Sequence, residues 1–315
     1  MKKVSVFLIT YNHEKYIAQA IESIVSQKTN FDFEVVIGED FSKDGTRAIC
    51  EKYAAQYPNI INLLPSEKNH GAMENAIRVF AACKGEYIAL CEGDDYWIDP
   101  YKLQKQADFL DAHSDCSWCF GNIEVLDEMN WGLPRDRYFP EVEKETITVE
   151  DIILTDVSIV PTATMFFRNI LPKPFPDFYR TTFSGDLFLH LYFADKGKAK
   201  YFKEPLSVYR NHEGGLTKSP AQIERTYNNI FNFYTTMNEY LGFRYNDLIK
   251  QRLFEMTKTR LIYGAREKHG MEKFRHYLKT MPNYFRYSRK LNVKELLYYH
   301  MILFFPSLLK KMSKP

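Results

Sequence analysis

Nowhere in the 315 residues does an apolar run reach the roughly 18–20 residues that a membrane-spanning helix needs, so the sequence predicts a soluble or peripheral chain. Cysteine is scarce. Cys50, Cys83, Cys91, Cys116 and Cys119 are odd in number and sit in apolar runs, which argues against a disulfide framework and fits a reducing cytosol. Cys116 and Cys119 are spaced as C-x-x-C, yet no second pair and no nearby histidine pair completes a zinc site. Charge of one sign is lacking too. Forty-two basic residues face 40 acidic ones for a net charge of +2, so no overall field draws the chain to nucleic acid. No Gly-x-Gly-x-x-Gly follows the first apolar segment, which counts against a nicotinamide dinucleotide fold. There is no internal repeat and no low-complexity linker. Nor does a small-residue cleavage site follow Val4 to Ile9, which therefore reads as a strand and not as a leader.

What is present is ordinary globular composition, 45% hydrophobic and 26% charged, enough for a sizeable core. Val4 to Ile9 is β-rich, and Glu14 to Ser26 sets Ile17, Ala20, Ile21, Ile24 and Val25 on one helical face. The unit recurs as strand Phe33 to Ile37 with helix Arg47 to Gln56, strand Ile60 to Leu64 with helix Ala72 to Cys83, and strand Glu86 to Cys91. Such alternation predicts an α/β domain with a largely parallel sheet covered by helices. Asp99 and Pro100 read as the cap and first residue of a helix over Lys102 to Ala112. From Asn122 to Pro176 the pattern is irregular and partly β, with Ser158 to Phe167 strand-like. Ser184 caps a helix to Lys196 with Gly197 as its stop, and Lys198 to Tyr209 reads as two short strands. From Lys218 onward the pattern is helical, giving a division into residues 1–215 and 216–315.

Ligands of such sheets bind beyond the carboxyl ends of the strands. Glu92, Asp94 and Asp95 follow one strand there, and like charges so close call for a cation; hard ions such as Mg²⁺ or Mn²⁺ suit oxygen ligands shared with phosphates. Asp186 falls in a first helical turn, where the macrodipole keeps a carboxylate ionised and fit to act as a general base. Arg210 can pair phosphate oxygens, and His212 can donate or ligate a metal. Glu39 and Asp40 follow the second strand, positioned to accept from a uracil N3–H or ribose hydroxyls. The plain alternatives are a solvated acidic turn at 92–95, a helix-stabilising aspartate at 186 and a surface turn at 209–215.

The order Thr10-Tyr11-Asn12, then Glu39-Asp40-Phe41-Ser42-Lys43-Asp44-Gly45-Thr46, then Asn69-His70-Gly71, then Glu92-Gly93-Asp94-Asp95-Tyr96-Trp97, resembles the family 2 glycosyltransferases of the GT-A fold. The resemblance runs from about Lys3 to Gly215. It implies a mixed sheet flanked by helices, a nucleotide held by Thr10, Tyr11, Asn12, Glu39, Asp40, Asn69 and Gly71, a metal on Asp94, and an inverting base at Asp186. In the family's Asp-x-Asp metal motif the first position is often aspartate; here Glu92 stands there. The expected reaction is metal-dependent, inverting transfer of a sugar from a nucleotide-sugar donor, a UDP-sugar, to a hydroxyl of a glycan or lipid-linked acceptor in surface polysaccharide or glycoconjugate synthesis. A nucleotidyltransferase would show a glycine-rich basic loop after the first strand, and none is present. A non-catalytic nucleotide-sugar-binding protein would have lost acidic residues that are intact here. Leu296 to Leu309, rich in large apolar side chains and followed by Lys310, Lys311 and Lys314, suits packing in a core, a homodimer or a peripheral contact at the inner face of the plasma membrane.

Overall fold

A computed structural model describes residues 2–130, 132, 142–155, 159–182, 184–214, 220–267 and 270–288. The chain divides into two compact units, Met1–Lys218 and Ser219–Pro315. In the first, β1 (Val4–Thr10), α1 (Ile17–Val25), β2 (Phe33–Glu39), α2 (Thr46–Gln56), β3 (Ile61–Leu63), α3 (Ala72–Ala82) and β4 (Tyr87–Glu92) alternate as the apolar pattern predicts. Then follow β5 (Tyr96–Trp97), α4 (Lys102–Ala112), β6 (Cys116–Asp127), β7 (Thr146–Ile147), α5 (Val149–Leu154), β8 (Phe166–Arg168), α6 (Gly185–Lys196) and β9 (Lys198–Asn211). The second unit contains α7 (Pro220–Tyr240), α8 (Asn246–Glu267) and α9 (Gly270–Tyr287). Among the described residues no helix is long and apolar enough to cross a membrane. The Leu296 to Lys314 segment lies outside the described residues.

The sheet runs β3-β2-β1-β4-β8-β6-β9-β5, with β7 on β9. Pairs β1–β2, β1–β4, β2–β3 and β6–β9 are parallel; β4–β8, β6–β8, β5–β9 and β7–β9 are antiparallel. The sheet is therefore mixed, and its β3-β2-β1-β4 half, parallel throughout, is the part that strand–helix alternation forecasts. β1 and β4 are buried almost throughout because helices cover both faces. Ile17, Ala20, Ile21 and Ile24 of α1 pack with Val4, Val6, Leu8, Val35 and Ile37. Each buried isoleucine, leucine or valine among them contributes about 1.5–3 kcal/mol by leaving water. The five cysteines are free and buried in these runs.

Local departures from the sequence pattern have identifiable causes. The first helix is predicted from Glu14 but starts at Ile17. The backbone N–H groups of Asn12, His13 and Glu14 are bound instead to Ser42 Oγ, Thr46 Oγ1 and Asp44 Oδ2, which fixes residues 12–14 as a loop. Asp99 does not cap α4 as its N-cap residue. Standing two residues before the N-cap Tyr101, it accepts from Tyr101 N at 2.8 Å and pairs with Lys105 at 2.6 Å. Lys198 to Tyr209 is one strand, kept continuous through Pro205 by register shifts around Asn122. Gly197 ends α6 in an extended conformation, φ 170°, and not as a left-handed stop. Of Ser158 to Phe167, only Phe166 and Phe167 are in a strand; Thr162–Thr164 forms a 3₁₀ turn and 158 lies outside the described residues.

Candidate active site

β1 and β4 are adjacent and parallel, so the loop after Thr10 and the turn after Glu92 emerge side by side. Gly93 lets them touch. A Cβ there would lie 2.5 Å from Thr10 Oγ1 and 3.0 Å from His13 Nδ1, so any larger residue would push the two loops apart. β9 ends at the same edge, and its last residues bring Arg210 and His212 against the turn.

Asp94 is the meeting point. Its Oδ2 lies 3.0 Å from His212 Nε2 and 3.7 Å from His13 Nε2. One ligand atom from each of His13, Asp94 and His212 falls within 4.8 Å of the others, a spacing that fits a single divalent ion. Burial pushes the Asp94 carboxyl up, but the His212 hydrogen bond and the His13 and His212 charges outweigh it and hold it below the usual range. Burial lowers His13 against the pull of Asp94, which favours the neutral imidazole that ligates metals. The two rings lie 6.0 Å apart and nearly perpendicular.

Of the three carboxylates expected on the metal, Asp94 is the one in this convergent group. Asp95 turns inward: its Oδ1 accepts from Arg210 N at 2.9 Å, and burial, then Asp94, pushes its carboxyl well up. Glu92 is likewise raised well above the carboxylate range, first by burial and then by repulsion from Asp95, Asp94 and Asp186. Its Oε2 has no hydrogen-bond partner. Neither residue joins the convergent group. Asp186, at the start of α6, adds to the repulsion that raises Glu92. Both hydrogen bonds that Asp186 accepts from described residues, from Ser184 Oγ and from Leu187 N, go to Oδ1.

Arg210, expected to pair the donor diphosphate, is bound on all sides by protein groups. Its Nε donates to Asp94 O at 3.0 Å, one terminal nitrogen to Glu128 Oε1 at 2.8 Å and the other to Gln19 Oε1 at 2.7 Å. The guanidinium is buried over the rings of Tyr16 and Tyr96. Tyr16 closes the network by donating to Glu128. This arrangement clamps the Asp94 turn to α1 and to Glu128, the residue after β6.

At the neighbouring β2 edge, Asp40 accepts from His70 N at 2.7 Å and Gly71 N at 2.9 Å, while Asn69 Nδ2 donates to Asp40 O. Glu39 accepts from Ser42 N at 2.7 Å and lies 3.7 Å from Arg47. Asn12, in the left-handed region at φ 56°, accepts from Lys43 N. Glu39, Asp40, Asn69, Gly71 and Asn12 thus build the rim, whereas Tyr11 is exposed and Thr10 Oγ1 is buried without a partner. An open cleft of about 380 Å³ adjoins His212, bordered by Asn12, Lys15, Tyr16 and Asp44. His13 is the metal-type residue that motif reading misses, although it directly follows Thr10-Tyr11-Asn12. Gln19 and Glu128 carry no sequence signal.

Residues 5–173 match the family model described as glycosyl transferase family 2. An uncharacterized Mycobacterium tuberculosis protein, Rv1520, is 34% identical over 224 residues, 71% of this chain; the chain spans 63% of that relative's length. Among solved structures, Staphylococcus aureus TarS 1–349 with UDP aligns with a TM-score of 0.56 at 20% identity, covering 91% of this chain and 81% of that one. A Pyrobaculum calidifontis mannosyltransferase, PcManGT, solved with GDP-Man and Mn²⁺, aligns with a TM-score of 0.50 at 15% identity, covering 99% and 83%. Both share the mixed sheet flanked by helices.

Proposed function

The chain belongs to glycosyl transferase family 2 and is a glycosyltransferase of GT-A fold; from that premise we propose that it transfers a sugar from a UDP-sugar to a hydroxyl of a glycan or lipid-linked acceptor, with inversion, in surface polysaccharide or glycoconjugate synthesis. The observation that carries the reading is the convergence of His13, Asp94 and His212 at the strand ends where a nucleotide would lie. Two imidazoles and one carboxylate suit Mn²⁺ better than Mg²⁺, which prefers all-oxygen ligands. PcManGT was solved with Mn²⁺, and TarS with UDP. A divalent ion held here supplies positive charge to the donor diphosphate.

The chain's own residues do the rest. Thr10 and Tyr11, on the rim built by Asn12, Glu39, Asp40, Asn69 and Gly71, hold the nucleotide. Asp186 takes the proton from the acceptor hydroxyl through Oδ2 while Ser184 and Leu187 orient it through Oδ1. Glu92, whose carboxyl is pushed up by burial and then by Asp95, Asp94 and Asp186 and whose Oε2 has no partner, is offered to a hydroxyl of the donor. Arg210 positions Asp94 and does not contact phosphate. Catalysis belongs to residues 1–215, and residues 216–315 provide contacts to acceptor, second subunit or membrane surface.

The test is release of nucleoside diphosphate from a panel of nucleotide sugars with and without Mn²⁺. Turnover of a UDP-sugar that needs Mn²⁺ and stops with chelator is expected. Equal turnover in chelator overturns the metal role, and preference for a GDP- or dTDP-sugar overturns the donor assignment.

A further inference from the structure

The second unit carries an outward face that the transfer reaction does not use. At the roughly 100° per residue of an α-helix, Phe274, Leu278 and Phe285 of α9 fall within about 40° of one another. They are 38%, 55% and 50% exposed, although Met281, Tyr284 and Tyr287 of the same helix are buried. Each of the three is followed directly by a basic residue, Arg275, Lys279 and Arg286, and these three are exposed as well. The basic residues form a second stripe about 100° around the helix from the apolar one. The acid Glu272 lies beyond that stripe.

We propose that this face of α9 is a membrane-binding surface, in which Phe274, Leu278 and Phe285 enter the headgroup region of a bilayer and Arg275 and Arg286 meet anionic lipid. Charge decides between the occupants. A second copy docking symmetrically on the stripe would bring two sets of Arg275 and Arg286 together, and repulsion between them would oppose burial. The tail's apolar run ends in Lys310, Lys311 and Lys314, so it offers no opposite charge at that end either. An anionic bilayer satisfies both stripes at once, accepting aromatic and leucine side chains at the boundary while its phosphates neutralise the cations. The stripe is short and carries three large apolar side chains, which matches a reversible peripheral contact. The inference rests on no step of sugar transfer, so either reading can fail alone.

The experiment is co-sedimentation of the full chain with vesicles of phosphatidylglycerol and phosphatidylcholine in equal parts, and with phosphatidylcholine alone. The wild-type chain is expected to pellet with the anionic vesicles, less so as salt rises, and to stay in solution with the neutral ones. The double variant L278E/F285E should bind the anionic vesicles about tenfold more weakly or worse, with its helical circular dichroism unchanged. Should that variant not fold, R275Q/R286Q keeps the apolar stripe and should lose the preference for anionic vesicles. Equal pelleting of wild type and variant overturns the proposal in favour of the tail or another surface. So does equal binding to neutral vesicles. A vesicle-free dimer that L278E/F285E dissociates would show that a second copy covers the face.

Discussion

Asp94 and His212 are 118 positions apart in sequence, yet His212 Nε2 and Asp94 Oδ2 stand 3.0 Å apart. The contact exists because β4 and β9 end at one edge of the sheet and Arg210, two residues before the histidine, ties its own backbone to Asp95. His13 completes the group from a third chain segment.

Substituting Asp94→Asn or His13→Ala should therefore lower Mn²⁺ affinity by at least about tenfold, measured by titration calorimetry. The fold should persist, since both side chains are only partly buried at a strand edge and the core beneath them is intact. Wild-type affinity in His13→Ala would remove that residue from the site, and wild-type affinity in Asp94→Asn would remove the site altogether.

Asp186→Asn should abolish transfer while donor affinity stays within a few-fold of wild type, because a base is needed only in the chemical step. Turnover at saturating donor and the donor dissociation constant should separate. If affinity collapses and saturated turnover survives, the residue orders α6 or holds donor and is no base.

Much of this site is legible from residue order alone. The four motif segments mark the strand ends, and the apolar period marks the helices that cover them, because burial on both faces leaves a dense pattern in β1, β2 and β4. What the order of residues does not reveal is how carboxylates divide their roles. Glu92, Asp94 and Asp95 look equivalent in the chain, but the turn at Gly93 points Asp94 at two imidazoles and Asp95 at a backbone N–H. Nor does residue order reveal that Glu128, just after β6, and Gln19 of α1 bind the Arg210 guanidinium. Such long-range pairings leave no local period. The continuous strand β9 is missed for the same reason, since only its partner β6 carries the chain past Pro205.

The clamp role of Arg210 separates cleanly from a phosphate role. Arg210→Lys keeps the charge but loses the planar fork that reaches Glu128, Gln19 and the Asp94 carbonyl together. Thermal unfolding should reveal a loss of about 1–3 kcal/mol, accompanied by weaker Mn²⁺ binding. A variant of unchanged stability with a raised donor KM would return Arg210 to the diphosphate.

Lys102 provides a pH-dependent test of the core beneath the site. It is fully buried on α4, donates to Gln106 Oε1 at 2.8 Å and lies 4.2 Å from the centre of the Trp97 ring. Burial is the main cause that lowers its pKa from 10.5 to about 7, against opposing contributions from Cys119, Cys91 and Asp99. Below pH 7 both folded and unfolded chains carry the ammonium, so the folded state bears the full cost of burying it. Between about 7 and 10.5 the folded chain releases the proton and the unfolded chain retains it, so this residue's contribution to stability rises with pH across that window. Lys102→Met has similar length and no charge. It should stabilise the protein at pH 6.5 by about 1–4 kcal/mol, less the lost Trp97 and Gln106 contacts. The gap should narrow as pH approaches 10. Denaturant melts of both proteins at several pH values decide the matter, because other titrating groups shift the two curves together and cancel in the difference. Parallel curves across the whole window would mean that Lys102 stays protonated in the core, held by Trp97 and Gln106 strongly enough to offset its desolvation.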